Sequence, residues 1–294
     1  MVMRGQRTMA AVLEYFTTFD IERAGVRLHG RSAGQGEPLL LHGHPQTHAM
    51  WHRVAPELAR HFTVVVMDLR GYGDSGRPPS DADHAPYAKR EMALDALAVM
   101  RHHGFERFQV LAHDRGARVA HRLAADHPQV IERLLLLDIA PTLAMYERTS
   151  LAFAQAYWHW FFLIQPPPLP EALIESDPAR YVRSVMGKRH AGLAAFAPQA
   201  LAEYERCAQI TGTAQAVCED YRASATIDLA HDRADVAAQR LLQPPLRVLW
   251  GEHGAVGQCF DALALWQERA QQVSGHALAC GHYIAEEARA FFRH

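Results

Sequence analysis

Six short apolar runs, each four to six residues long, are spaced along the chain. They are PLLLH at Pro38–His42, TVVVMD at Thr63–Asp68, FQVLA at Phe108–Ala112, LLLLD at Leu134–Asp138, LRVLW at Leu246–Trp250 and ALAC at Ala277–Cys280. Runs this short and this apolar fit strands buried on both faces. Helical patterns such as Lys89–His103 and Arg118–His127 lie between several of them. That alternation predicts a mostly parallel sheet with helices on both sides. The segment Tyr15–Arg31 reads as an antiparallel pair at one edge, bringing the sheet to eight strands. The rhythm stops after Pro141. From there to about residue 230 the patterns are helical, with an aromatic cluster AYWHWFF at 156–162 and a proline-rich stretch at 166–170. The chain therefore divides into residues 1–141, a helical cap at 142–230, and residues 231–294.

Composition narrows the function classes. The 294 residues suffice for one large domain with an insertion. Thirty basic against 32 acidic residues leave a net charge of −2, so no global field draws nucleic acid or an anionic membrane. Any preference for an anion must come from local arginines. Cys207, Cys218, Cys259 and Cys280 are widely spaced and read as reduced thiols. The opening MVMRGQRTMAAVLEYFTTFD soon meets Glu14 and Asp20 and lacks a signal-peptide core. No run reaches the roughly 18 apolar residues of a membrane helix. A cytoplasmic protein is expected, and by base rate a homodimer.

The chemistry concentrates at residues 108–128, FQVLAHDRGARVAHRLAADHP. A strand runs into Ala112-His113-Asp114-Arg115-Gly116 and a helix follows at once. This is the strand–turn–helix setting of a nucleophile elbow, where a sharp turn needs small flanking residues such as Ala112 and Gly116. The central residue is Asp. A carboxylate can attack saturated carbon and form an ester, without a base to deprotonate it first, and the helix N-terminus favours its ionised form. Asp at the start of a helix is also a common N-cap.

Further motifs favour the nucleophile. These are HGHPQTHAMW at 42–51, DLRGYGDSGRP at 68–78, AHDRGARVAHR at 112–122, LLLLDIAPT at 134–142, YWHWFFLIQPPPLPE at 157–171, EDYRA at 219–223 and GHYIAEE at 281–287. Through them nearly the whole chain resembles the α/β-hydrolase superfamily and, within it, the fluoroacetate (haloacetate) dehalogenases. The first two motifs are widespread in the superfamily. The H-D-R-G-x-R form together with the His-Trp of the cap is far more specific.

The resemblance implies an α/β-hydrolase fold and a set of roles. His282, in a Gly-His-Tyr turn after the last strand, would activate water to hydrolyse the ester. Asp138 would orient it. Glu252, in the loop after LRVLWG, is the other acid in reach of that role. Arg115 and Arg118, three apart on the helix after the elbow, suit a substrate carboxylate; otherwise they would form structural ion pairs, for example with Asp126 or Glu132. His159, Trp160 and Tyr221 would meet the departing halide, with Tyr157 and Tyr204 competing for the place of Tyr221. The backbone N–H groups of His44 and Arg115 would serve the non-attacking oxygen of Asp114. His44 departs from the bulky apolar or aromatic residue expected there, and only twelve residues follow His282.

The expectation is a cofactor-free and metal-free enzyme that attacks the α-carbon of a small anionic haloacid, expels halide and releases a 2-hydroxy acid. Fluoroacetate giving glycolate leads. The alternatives are a chloroacetate-preferring enzyme, an epoxide hydrolase, and a non-catalytic ligand binder of the same fold.

Overall fold

A computed structural model describes residues 13–36, 38–288 and 291. The opening stretch 1–12, part of the segment that lacks a signal-peptide core, lies outside these. Eight strands form one sheet: β1 (Thr17–Arg23), β2 (Val26–Gly34), β3 (Pro38–Leu41), β4 (Thr63–Met67), β5 (Phe108–His113), β6 (Ile131–Leu137), β7 (Leu246–Gly251) and β8 (Val273–Leu278). Their spatial order is β1-β2-β4-β3-β5-β6-β7-β8. Strand β2 runs antiparallel to β1 and β4, and every other pairing is parallel. The early segment thus supplies the expected antiparallel edge.

Alternate residues of the central strands feed two separate cores. On β4, Val65 and Met67 join one and Val64 and Val66 the other; on β7, Val248 and Leu249 divide the same way. A strand with both faces covered has no polar side to show, hence the unbroken apolar runs. Strand β8 differs. It begins at Val273 rather than Ala277, and Ser274 and His276 are exposed on it. As an edge strand with one wet face it lacks a continuous apolar run, so only its end resembled a strand.

Two core helices matter to the site. Helix α1 (Lys89–His102) packs against helix α2 (Asp114–Asp126), which leaves β5 directly. Between β6 and β7 the described chain is helical. This insertion includes α3 (Trp158–Leu163), α4 (Pro178–Gly187) and α5 (Thr213–Ala225).

Candidate active site

Strand β5 delivers Asp114 to the turn into α2. The residue sits in the left-handed region with φ of 45°, a conformation costing on the order of 1–3 kcal/mol for a residue with a side chain. Two glycines make the turn possible. A Cβ on Gly116 would come within 2.4 Å of the His42 carbonyl oxygen, and one on Gly43 within 2.5 Å of Asp114 Cβ. The Gly116 N–H instead donates to His42 O at 2.8 Å, tying the elbow to the loop after β3.

Asp114 does not cap its helix; the capping position is His113. Its Oδ1 accepts the backbone N–H of His44 at 2.9 Å, which is half of the expected donor pair. The other half, the Arg115 N–H, makes no hydrogen bond to Asp114 among the described residues. Burial would raise the carboxyl's pKa. Electrostatic attraction from His282 and from the Arg118 and Arg115 guanidiniums outweighs it and holds Asp114 well below the usual carboxylate range.

His282 follows β8 and is buried. Its Nδ1 pairs with Asp138 Oδ2 at 2.5 Å, and Gly251 N–H donates to Asp138 Oδ1 at 2.9 Å. Asp138 therefore fixes the imidazole while being fixed itself by the end of β7. Glu252 is half exposed and paired with His253 at 3.1 Å, so geometry favours Asp138 of the two acids. A residue without an assigned role completes the arrangement: His113 Nε2 donates to the His282 carbonyl at 2.8 Å. Burial drives the His113 pKa down to about 3, so its neutral ring braces the loop that carries His282.

The arginine pair is less symmetrical than its spacing suggests. Arg115 is buried and ion-paired, not with Asp126 or Glu132 but with Asp220 of α5. Its Nε and Nη2 grip both Asp220 oxygens at 2.8 and 2.7 Å, and Nη2 also reaches Ser224 Oγ at 2.6 Å. Tyr72 and Lys89 donate to the same carboxylate. Only Nη1 of Arg115 is left without a partner. Among the described residues Arg118 has no carboxylate within ion-pair distance. Its Nη1 donates to Thr142 Oγ1 at 2.8 Å and Ala140 O at 3.2 Å, and its Nε is buried and unpartnered. Burial lowers the Arg118 pKa, opposed chiefly by Asp114.

The insertion supplies the remaining expected groups. His159 and Trp160 lie on α3 and Tyr221 on α5, all buried. Tyr221 OH and Trp160 Nε1 have no hydrogen-bond partner. The Arg115 guanidinium lies 4.1 Å over the Tyr221 ring and that of Arg118 4.6 Å over Trp160. The competing tyrosines have other partners. Tyr204 OH donates to Glu286 at 2.8 Å, and Tyr157 OH lies 3.3 Å from His282 Nδ1. Around one carboxylate the fold thus gathers several buried donors that nothing among the described residues satisfies. Such groups are costly unless a ligand takes them up.

Elsewhere, the ligand atoms of His29, His48 and Asp68 lie within 4.8 Å of one another. Asp68 is already satisfied by His48 N and Nδ1 and by Asp74 N. That cluster is an internal lock for the loop after β3. Among the described residues no helix is long and apolar enough to cross a membrane.

A sheet with this strand order, an acid on a strained strand–helix turn and a His–Asp pair on later loops define a class. The chain belongs to the α/β-hydrolase fold family, whose pattern matches residues 39–288; it is a hydrolase of that fold. It is 42% identical over 249 residues to a fluoroacetate dehalogenase from Burkholderia sp., covering 84% of this chain and 81% of that one. It is also 35% identical over 273 residues to a soluble epoxide hydrolase from Corynebacterium sp. (strain C12), covering 91% of each. A crystal structure from Nostoc sp. PCC 7120, described as a candidate α/β-hydrolase, superposes with a TM-score of 0.91 at 52% identity over 95% of this chain and 96% of that one.

Proposed function

We propose that the protein is a hydrolytic dehalogenase of small 2-haloacids, with fluoroacetate as the leading substrate and glycolate and fluoride as products. The observation that carries this reading is the pair of unsatisfied arginine nitrogens, Arg115 Nη1 and Arg118 Nε, buried close to an ionised Asp114. A neutral substrate would leave both as they are. A carboxylate would satisfy them and offset its own repulsion from Asp114.

In the first step Asp114 attacks the α-carbon in line. The C–O ester bond forms as the carbon–halogen bond breaks, and the halide leaves with the electron pair toward His159, Trp160 and Tyr221. Donors aimed at growing charge contribute on the order of 3 kcal/mol each. In the second step His282, held by Asp138, takes a proton from water, which attacks the ester carbonyl. The His44 N–H steadies the oxyanion on the former Asp114 carboxylate. The carbonyl C–O bond then breaks, the departing alkoxide takes the proton from His282, and the 2-hydroxy acid leaves; the carboxyl left on Asp114 gives its own proton to solvent and is regenerated as the carboxylate.

Epoxide hydrolysis is the second reading. The free Tyr221 hydroxyl favours it, since a phenol can protonate an opening epoxide, and one relative bears that name. Halide release from fluoro-, chloro- and bromoacetate, measured beside turnover of small epoxides, separates the two. Release from chloroacetate and bromoacetate without fluoroacetate would restrict the reading to weaker carbon–halogen bonds. No halide release from any of them refutes it.

A further inference from the structure

We propose that the imidazole of His44 is a further catalytic residue, a fourth hydrogen-bond donor to the departing halide. This rests on the dehalogenase reading above. The backbone N–H of His44 already holds Asp114, so its side chain starts beside the nucleophile. The ring reaches from the loop after β3 into groups of the insertion. It stacks on His159 at 6.0 Å with an 18° tilt and meets the edge of Tyr221 at 5.4 Å. His159 and Tyr221 are themselves 5.9 Å apart, so the three rings form a nearly equilateral triangle. Two of its corners are the halide donors expected from sequence.

The two ring nitrogens differ. Nε2 lies 3.1 Å from the hydroxyl of Tyr181, on α4. Nδ1 is buried and has no partner. The negative charge of Asp114 acts on the ring, and toward an anion an N–H is favoured over a lone pair. The stable arrangement has Tyr181 O–H donating to Nε2 and the proton on Nδ1. Burial pushes the His44 pKa down to about 3, so the donor is neutral. A neutral N–H stabilises charge on the leaving atom without fixing a resident anion beside Asp114. The Nδ1–H donates a hydrogen bond and keeps its proton; the halide leaves as the free anion.

His44→Phe tests this, because it keeps the ring and the backbone N–H and removes Nδ1. Fluoride concentrates charge more than bromide and depends more on donors. The variant should release fluoride from fluoroacetate about 100-fold more slowly, while bromide release from bromoacetate falls less than about tenfold. Tyr181→Phe, which frees the tautomer, should shift the same ratio in the same direction by less, and it carries the test if His44→Phe does not fold. An equal fall for both halides, or no fall, overturns the role of His44 while the dehalogenase reading stands. If the unaltered enzyme releases no halide, the reading fails and the inference with it.

Discussion

Arg118→Met separates the cost of the charge from its use. In the folded protein Arg118 is buried with hydrogen bonds to Thr142 and Ala140; Asp114 acts on it electrostatically, but among the described residues no carboxylate pairs with it directly. Losing those two bonds costs about 1 kcal/mol each, and stranding the acceptors somewhat more. Against this, removing a buried cation that lacks a carboxylate partner recovers a desolvation cost of several kcal/mol. Met keeps most of the apolar stem against Trp160. The net change should lie within about 2 kcal/mol, a shift of no more than about 6 °C in a chain of this size. Turnover should behave differently. One charge-assisted bond from Arg118 Nε to a substrate carboxylate is worth about 1.5–3 kcal/mol. At about 1.4 kcal/mol per tenfold, kcat/KM for haloacids should fall on the order of 10- to 100-fold. Halide release and thermal melting on the same preparation supply both numbers, with a neutral epoxide as control. Haloacid turnover within about threefold of the unaltered enzyme, in a well-folded variant, would refute the reasoning.

Other perturbations test other parts. His282→Asn should form the ester on Asp114 and fail to hydrolyse it, visible as a stable mass increase after incubation with a haloacid; an unmodified mass would remove either the nucleophile or the base. Gly43→Ala drives a methyl group into Asp114 and should abolish halide release with the fold retained by circular dichroism. Glu286 is raised by burial to about 8, so between the ordinary carboxyl range and pH 8 the folded state holds a proton that the unfolded chain releases. Its contribution to stability is present at low pH and lost as pH rises through that window. Glu286→Gln should therefore gain melting temperature relative to the unaltered protein between pH 5 and pH 8; parallel curves would show that the carboxyl ionises normally.

What could be read from sequence follows from how each residue acts. The central strands were visible because burial on both faces leaves an apolar run, and β8 was mostly missed because its exposed edge breaks that run. Asp114, Asp138 and His282 were legible because each sits at the end of a strand, where chain order fixes a place in the fold. Asp220 was not assigned, although it lies beside Tyr221 in the motif singled out. Its role depends on Arg115, 105 positions earlier, and no local pattern marks such a pair. His113 likewise acts across 169 positions. The sequence made His44 conspicuous as a departure, but a backbone role was enough to account for it; only the unpaired Nδ1 singles out its side chain.

The grip of Arg115 on Asp220 has an evolutionary consequence. Asp114 and both arginines ride on the first turns of one core helix, whereas His159, Trp160 and Tyr221 arrive on the insertion. Attack geometry and leaving-group preference can therefore drift separately. The Arg115–Asp220 pair, with Tyr72 and Lys89 on the same carboxylate, is one pin that holds the two parts in register. An insertion transplanted from a relative would have to bring an acid to position 220, or lose the alignment of the proposed halide donors however well their types were chosen.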